Sequence, residues 1–210
     1  MDGMNLLVIS GACVSAAFSC SYVISTIKGT VKPNRVTWLL WSVSPMIATA
    51  AALSTGVTWS ILPVFMSGFM PFLVFLSSFL NKKSFWKIGP VDVCCGALSL
   101  IALAIWAMTK EPNMAVLLSI LSDALAALPT YIKIFKAPQT ERAYFYLGGL
   151  YSATTSLIAA PNYHFSTIAF AVYLVCLDGS LMLSIILCNH IRKRRIAREN
   201  MQQVETRPKA

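Results

Sequence analysis

A chain of 210 residues with 57% hydrophobic side chains, 12% charged residues and a mean hydropathy of +0.67 carries too little polar surface to cover a soluble globule. These proportions exclude a soluble domain and predict an all-α polytopic membrane protein. The net charge of +9 invites a nucleic-acid reading, but the placement of the cations argues for a topology signal instead.

Apolar runs of about 20 residues, enough to cross about 30 Å of hydrocarbon, alternate with short polar clusters. They predict seven helices, near 4–27, 36–55, 57–80, 86–108, 114–135, 143–160 and 165–189. The first run follows Asp2 and precedes the first cation, Lys28, so it lacks the basic start of a secretory signal and is expected to be retained as a span. Lys28, Lys32 and Arg35 follow helix one; Lys82, Lys83 and Lys87 follow helix three; Lys133, Lys136 and Arg142 follow helix five. Arg192, Lys193, Arg194, Arg195, Arg198, Arg207 and Lys209 follow helix seven, while Lys110, beside Glu111, is the one cation in the alternate loops. Sixteen of the 17 Lys and Arg residues therefore fall on one side. Cytoplasmic retention of positive charge puts the N-terminus outside and the C-terminus in the cytoplasm, as in an inner membrane if the source is bacterial. The IRKRR run could also meet anionic lipid headgroups.

Cys13, Cys20, Cys94, Cys95, Cys176 and Cys188 all lie inside apolar runs without the paired spacing of a zinc or haem site. They read as small core residues, and no metal or cofactor is expected.

An offset of 105 residues superposes the first inner loop on the third. Ile27 meets Ile132, Lys28 meets Lys133 and Pro33 meets Pro138, flanked by the softer pairs Ser25 with Thr130, Asn34 with Gln139 and Trp41 with Tyr146. Two three-helix units joined directly would point opposite ways, so a single linker helix is needed to make them parallel. The expected plan is 3+1+3: a first repeat over 1–83, a linker helix over 84–110, a second repeat over 111–190 and a basic tail over 191–210, with a pathway between two parallel bundles.

The junction PTYIKIFKAPQTE, Pro129 to Glu141, resembles the PQ-loop signature, and the whole plan resembles the SWEET and PQ-loop superfamily. Pro129-Thr130 stands where that family has Pro-Gln, the literal Pro138-Gln139 lies nine residues later, and the first copy has Ile24-Ser25 at the aligned place, followed by KPNRVTWLLW from Lys32 to Trp41. The resemblance implies movement of sugars, amino acids or cystine across a membrane, although a related receptor retrieves proteins to the endoplasmic reticulum.

Carboxylates in hydrocarbon cost about 2.5–3.5 kcal/mol at a helix centre on insertion scales, so each needs a reason. Asp123 lies ten residues beyond Asn113, about 15 Å along the axis and so at mid-membrane. Ser119 and Thr130 share its face, with Ala126 and Ala127 keeping the stripe narrow. Asp123 is expected to bind solute hydroxyl or amino groups, to carry a driving proton, or to fix packing through an interhelical hydrogen bond. Asp178, among Leu174, Val175, Leu181 and Met182, needs a partner from another helix, with Thr130 or a water near Tyr131 as candidates. Asp92 lies near the interface and reads as packing or topology.

Pro45, Pro63, Pro71 and Pro129 fall inside predicted helices, and Pro45 and Pro129 are the expected hinges. Gly11 with Ser15 and Ser19, and Gly149 with Ala153, permit close helix contact. Trp38, Trp41, Tyr144 and Tyr146 lie just past the inner loops, where rings anchor at headgroups. The leading reading is a transporter of a small polar solute, sugar or amino-acid-like, by alternating access with or without proton coupling. The alternative is a non-transporting receptor or accessory subunit. Enzymatic activity is not expected: HExxH, paired intramembrane aspartates and a Ser-His pair are absent from the sequence, as is a helix-seven lysine for retinal. Expected partners are a small-molecule solute, the lipid bilayer and possible copies of itself in a homo-oligomer, with no nucleic acid.

Overall fold

The computed structural model describes residues 3–55, 61–83, 86–108, 112–160 and 163–205. They form seven α-helices and one short 3-10 turn: α1 Gly3–Ile27, α2 Arg35–Thr55, α3 Ile61–Ser77, α4 Pro90–Met108, α5 Pro112–Lys136, the turn Pro138–Thr140, α6 Ala143–Ile158 and α7 Phe165–Glu205. Among the described residues three segments are long and apolar enough to cross a membrane: Gly3–Ile27, Val116–Lys136 and Ile168–Glu199. Large apolar side chains, among them Leu6, Leu98, Ile101, Leu121 and Leu183, face outward around the bundle, as a hydrocarbon surround requires.

Local chemistry sets the helix ends. Ile27 closes α1 into a Schellman turn, in which the Thr30 N–H donates to the Ser25 carbonyl at 3.0 Å and the Gly29 N–H to that of Thr26 at 2.9 Å. Gly29 takes the left-handed conformation that this turn needs, with φ of 75°. Asn34 caps α2 by accepting from the N–H groups of Val36 at 3.0 Å and Thr37 at 3.4 Å. Pro90 opens α4, and Asp92 reaches back to accept from the Gly89 N–H at 2.5 Å, the carboxylate half of a capping box.

Packing separates into two cores. Tyr22, Val31, Trp38 and Val74, from α1, the following loop, α2 and α3, make one. Ala127, Ile134, Tyr146, Leu177, Leu181 and Ile185, from α5, α6 and α7, make the other. Trp41 of α2 and Phe145 of α6 pack against both. Helix α1 lies on α3 and α6, α2 on α3, α4 and α5, and α7 on α5 and α6. The Tyr173 hydroxyl meets Asp123 and Tyr131 meets Ser180, so α5 and α7 run parallel and in register over this stretch. Close packing of α1 on α6 uses glycine from both sides. A Cβ at Gly11 would sit 3.2 Å from Ser152 Cα and collide with the Thr155 hydroxyl, and one at Gly148 would sit 2.9 Å from the Phe18 ring.

Several expectations need correction. Four of the six cysteines are not core residues: Cys95 is buried and Cys188 is half-buried against the second core, whereas Cys13, Cys20, Cys94 and Cys176 are exposed on the outer faces of their helices. Sulfhydryls are apolar enough to lie on such a face. Trp38 and Tyr146 are not headgroup anchors, since both are fully buried where the two cores meet, and Trp41 is half-buried beside them. Tyr144, also half-buried, packs its hydroxyl 3.0 Å from that of Ser25. Pro63 is the third residue of α3 as described, where a proline forces no kink, whereas Pro45, Pro71 and Pro129 lie within continuous helices.

Candidate functional site

All four basic segments meet at one end of the bundle. The Lys32 N–H donates to the Thr140 carbonyl at 2.9 Å, and the Trp86 N–H to that of Pro33 at 3.1 Å. Asn81 Nδ2 reaches the Ile27 carbonyl at 3.0 Å, and Asn189 Nδ2 that of Pro138 at 3.3 Å, while Arg192 donates to Gln139. Arg35 donates twice to Ser78, at 3.0 and 2.8 Å, and lies 4.0 Å over the Phe79 ring.

A buried charged latch lies at the centre of this end. Lys133, on the last turns of α5, donates Nζ to Glu141 Oε1 and to the Lys32 carbonyl, the latter at 2.6 Å. The Tyr22 hydroxyl of α1 donates to Glu141 Oε2 at 2.7 Å. Both members of the ion pair have 0% side-chain exposure. Each loses its hydration, and the extra hydrogen bonds replace that hydration in part. Asn34 extends the network, donating Nδ2 to Asp92 Oδ1 at 2.6 Å. Asp92 is 6% exposed and bridges the starts of α2 and α4, which agrees with packing and leaves no side chain reaching for water. Lys28, which the 105-residue offset aligns with Lys133, is exposed, while Pro33 and Pro138 are both buried in the two loops.

Further into the helices lies a second polar cluster. Asp123 accepts from the Tyr173 hydroxyl of α7 at 2.8 Å, and its main-chain carbonyl is 3.4 Å from Trp41 Nε1. Asp178 lies five residues along α7 from Tyr173, about 7.5 Å nearer the latch, and within electrostatic range of Asp123. Its carboxyl packs against Gly149 of α6 so closely that a Cβ there would overlap it. Thr130 is not its partner, because the Thr130 hydroxyl donates to Thr37 Oγ1 at 3.3 Å and Thr37 donates to the Ala126 carbonyl at 2.7 Å. The Tyr131 hydroxyl is 2.5 Å from that of Ser180. The predicted stripe Ser119, Asp123 and Thr130 therefore divides between two neighbours: Asp123 serves α7, Thr130 serves α2, and Ser119 is half-buried on the same helix. Helix α5 lies between both neighbours, and that position splits the stripe.

Two buried polar atoms among the described residues have no hydrogen-bond partner, Trp38 Nε1 and the Tyr146 hydroxyl. The latter is within electrostatic range of Glu141, Asp178 and Tyr131, between latch and carboxylates. Two open cavities, of about 450 and 520 Å³, flank α7 at the basic end, lined respectively by Tyr144 with Lys193 and by Phe135 with Arg192. Sequence reasoning missed Tyr22, Glu141 and Tyr173 as participants, while it placed Tyr146 at an inner-loop junction and Gly149 in a close helix contact. Only Glu141 carried a usable signal, a carboxylate eight residues from a lysine inside an apolar helix.

No family model, curated protein or solved structure matches this chain, so its function is read from this geometry.

Proposed function

We propose that the chain is a seven-span membrane transporter of a small polar solute, in which α1–α3 and α5–α7 form two parallel three-helix units joined by α4 and rock around the Asp123–Asp178 cluster. The observation that carries this reading is the cluster itself: two carboxyls deep in the second unit, with tyrosines gathered around them and Trp41 of the first unit at its edge. Polar groups at mid-membrane mark solute or ion pathways. Duplication is supported by the pairing of helices, because α1 with α3 and α6, and α2 with α3, exchange with α5 with α7 and α2, and α6 with α7, under the 105-residue offset. Ser25 and Thr130, aligned by that offset, each meet a hydroxyl on the opposite unit's second helix, Tyr144 and Thr37. This pattern also supports kinship with the SWEET and PQ-loop superfamily. Pro45 and Pro129, in α2 and α5, are the hinges, and the basic end faces the cytoplasm with the N-terminus outside.

Purified protein in proteoliposomes tests the proposal against a panel of labelled sugars, amino acids and amines with an imposed pH gradient. Saturable uptake that falls at least tenfold in Asp123→Asn is the expected result, and a flux that responds to the gradient identifies proton coupling. Solute binding without any flux identifies the receptor alternative.

A further inference from the structure

The carboxylate cluster also carries information about the charge of its ligand, an inference that rests on the transport reading. Among the described residues no Lys or Arg neighbours either carboxyl: the polar partner of Asp123 is Tyr173, and the charged group in range of Asp178 is Asp123. The nearest cation along α5, Lys133, is bound to Glu141 and the Lys32 carbonyl. A solute bearing its own carboxylate would find two further carboxyls and no counter-charge, a costly arrangement for an ionised group away from water. A positively charged solute would supply the counter-charge that both carboxyls lack and so favour their ionised form.

A second, independent feature points the same way. The Tyr146 hydroxyl is fully buried, lacks a partner and lies in range of Asp178 and Tyr131. A buried polar atom left unpaired costs about 1–3 kcal/mol, so it marks a place for a missing group. An ammonium group has three donors and no acceptor, which suits a phenolic oxygen and carboxylate oxygens together. Gly149 leaves the wall beside Asp178 as bare backbone.

We propose that the Asp123–Asp178–Tyr146 cluster takes an organic ammonium ion that carries no carboxylate of its own. Full-length protein is reconstituted in liposomes on a solid-supported membrane, and currents and labelled uptake are measured with putrescine, 1,4-butanediol, lysine and glucose at equal pH on both sides. Putrescine is expected to give saturable uptake and current, lysine at least tenfold less, and butanediol and glucose none. Asp178→Asn and Tyr146→Phe, both nearly isosteric, each weaken putrescine half-saturation at least tenfold, while Arg195→Gln at the exposed tail matches wild type. If either variant fails to fold by size exclusion, the other decides. Uptake of glucose or lysine without putrescine overturns the ammonium proposal and leaves the transport reading standing. Current driven by pH jumps alone, unaffected by putrescine, overturns it in favour of a proton site. No flux and no binding of any probe overturns both.

Discussion

The Lys133–Glu141 pair gives the sharpest test of the fold. Lys133→Met keeps the chain length but removes the charge, leaving Glu141 with only the Tyr22 hydroxyl in a position with 0% side-chain exposure. Removing one partner of a buried pair costs about 3–5 kcal/mol, because the surviving charge is neither solvated nor paired. At about 2–4 °C per kcal/mol for a chain of this size, the melting temperature falls by about 6–20 °C. Glu141→Gln costs less, since the amide oxygen still accepts from Tyr22 and Lys133 keeps the Lys32 carbonyl. The double variant Lys133→Met/Glu141→Gln leaves neither member of the pair charged, so it recovers at least half of the single-lysine loss. Thermal unfolding of the four proteins in one detergent measures the cycle. Lys133→Met within 2 °C of wild type, or a double variant whose loss equals the sum of the singles, refutes a desolvated, coupled pair.

Gly11→Ala drives a methyl into the Thr155 hydroxyl and the Ser152 backbone, costing about 1–3 kcal/mol by overpacking. Gly11→Ala combined with Thr155→Ala relieves only part of this, and a melting series checks both. Asn34→Ala removes a helix cap and a partner of buried Asp92 at once, for a loss of about 1–3 kcal/mol. Asn34→Asp keeps the cap but sets two carboxylates together, so it melts lower than wild type as well. Gly149→Ala overlaps the Asp178 carboxyl and is expected to weaken half-saturation at least as much as Asp178→Asn, with folding read by size exclusion. Cysteines placed at Lys28, Lys83, Lys136 and Lys193 are expected to react with a membrane-impermeant thiol reagent only after permeabilisation. Labelling of any pair from opposite sides refutes the shared basic end.

What the sequence made legible follows from periodicity and charge. Seven apolar runs predicted seven helices, and the described residues contain seven, because hydrophobic run length depends on composition and needs no knowledge of neighbours. The segregation of Lys and Arg likewise anticipated a common end for the 28–35, 82–87, 133–142 and 192–198 segments. Side-chain direction was the weak link. On a helix the choice between lipid, headgroup and core is fixed by which neighbours pack where. A tryptophan at position 38 therefore reads equally as an anchor or as a plug between cores. The four exposed cysteines failed for the converse reason: an apolar run shows that a residue avoids water, not whether lipid or protein covers it.

The same distinction explains the split of the Asp123 stripe. Spacing along α5 places Ser119, Asp123 and Thr130 on one face, but a face about 100° wide spans the seam between two helices, and each group then bonds whichever helix is nearer. Thr130 meets α2, whereas Asp123 meets α7. On the proposed transport reading this one stripe touches both three-helix units, so that rocking between them is expected to break the Thr130–Thr37 contact and leave Asp123–Tyr173 intact. Thr37→Val removes that contact without touching the carboxylates. It is expected to shift the balance between the two orientations, read as a change in uptake rate with half-saturation held within a factor of two. An equal change in both quantities would put Thr37 in the binding site instead and detach the stripe from the motion.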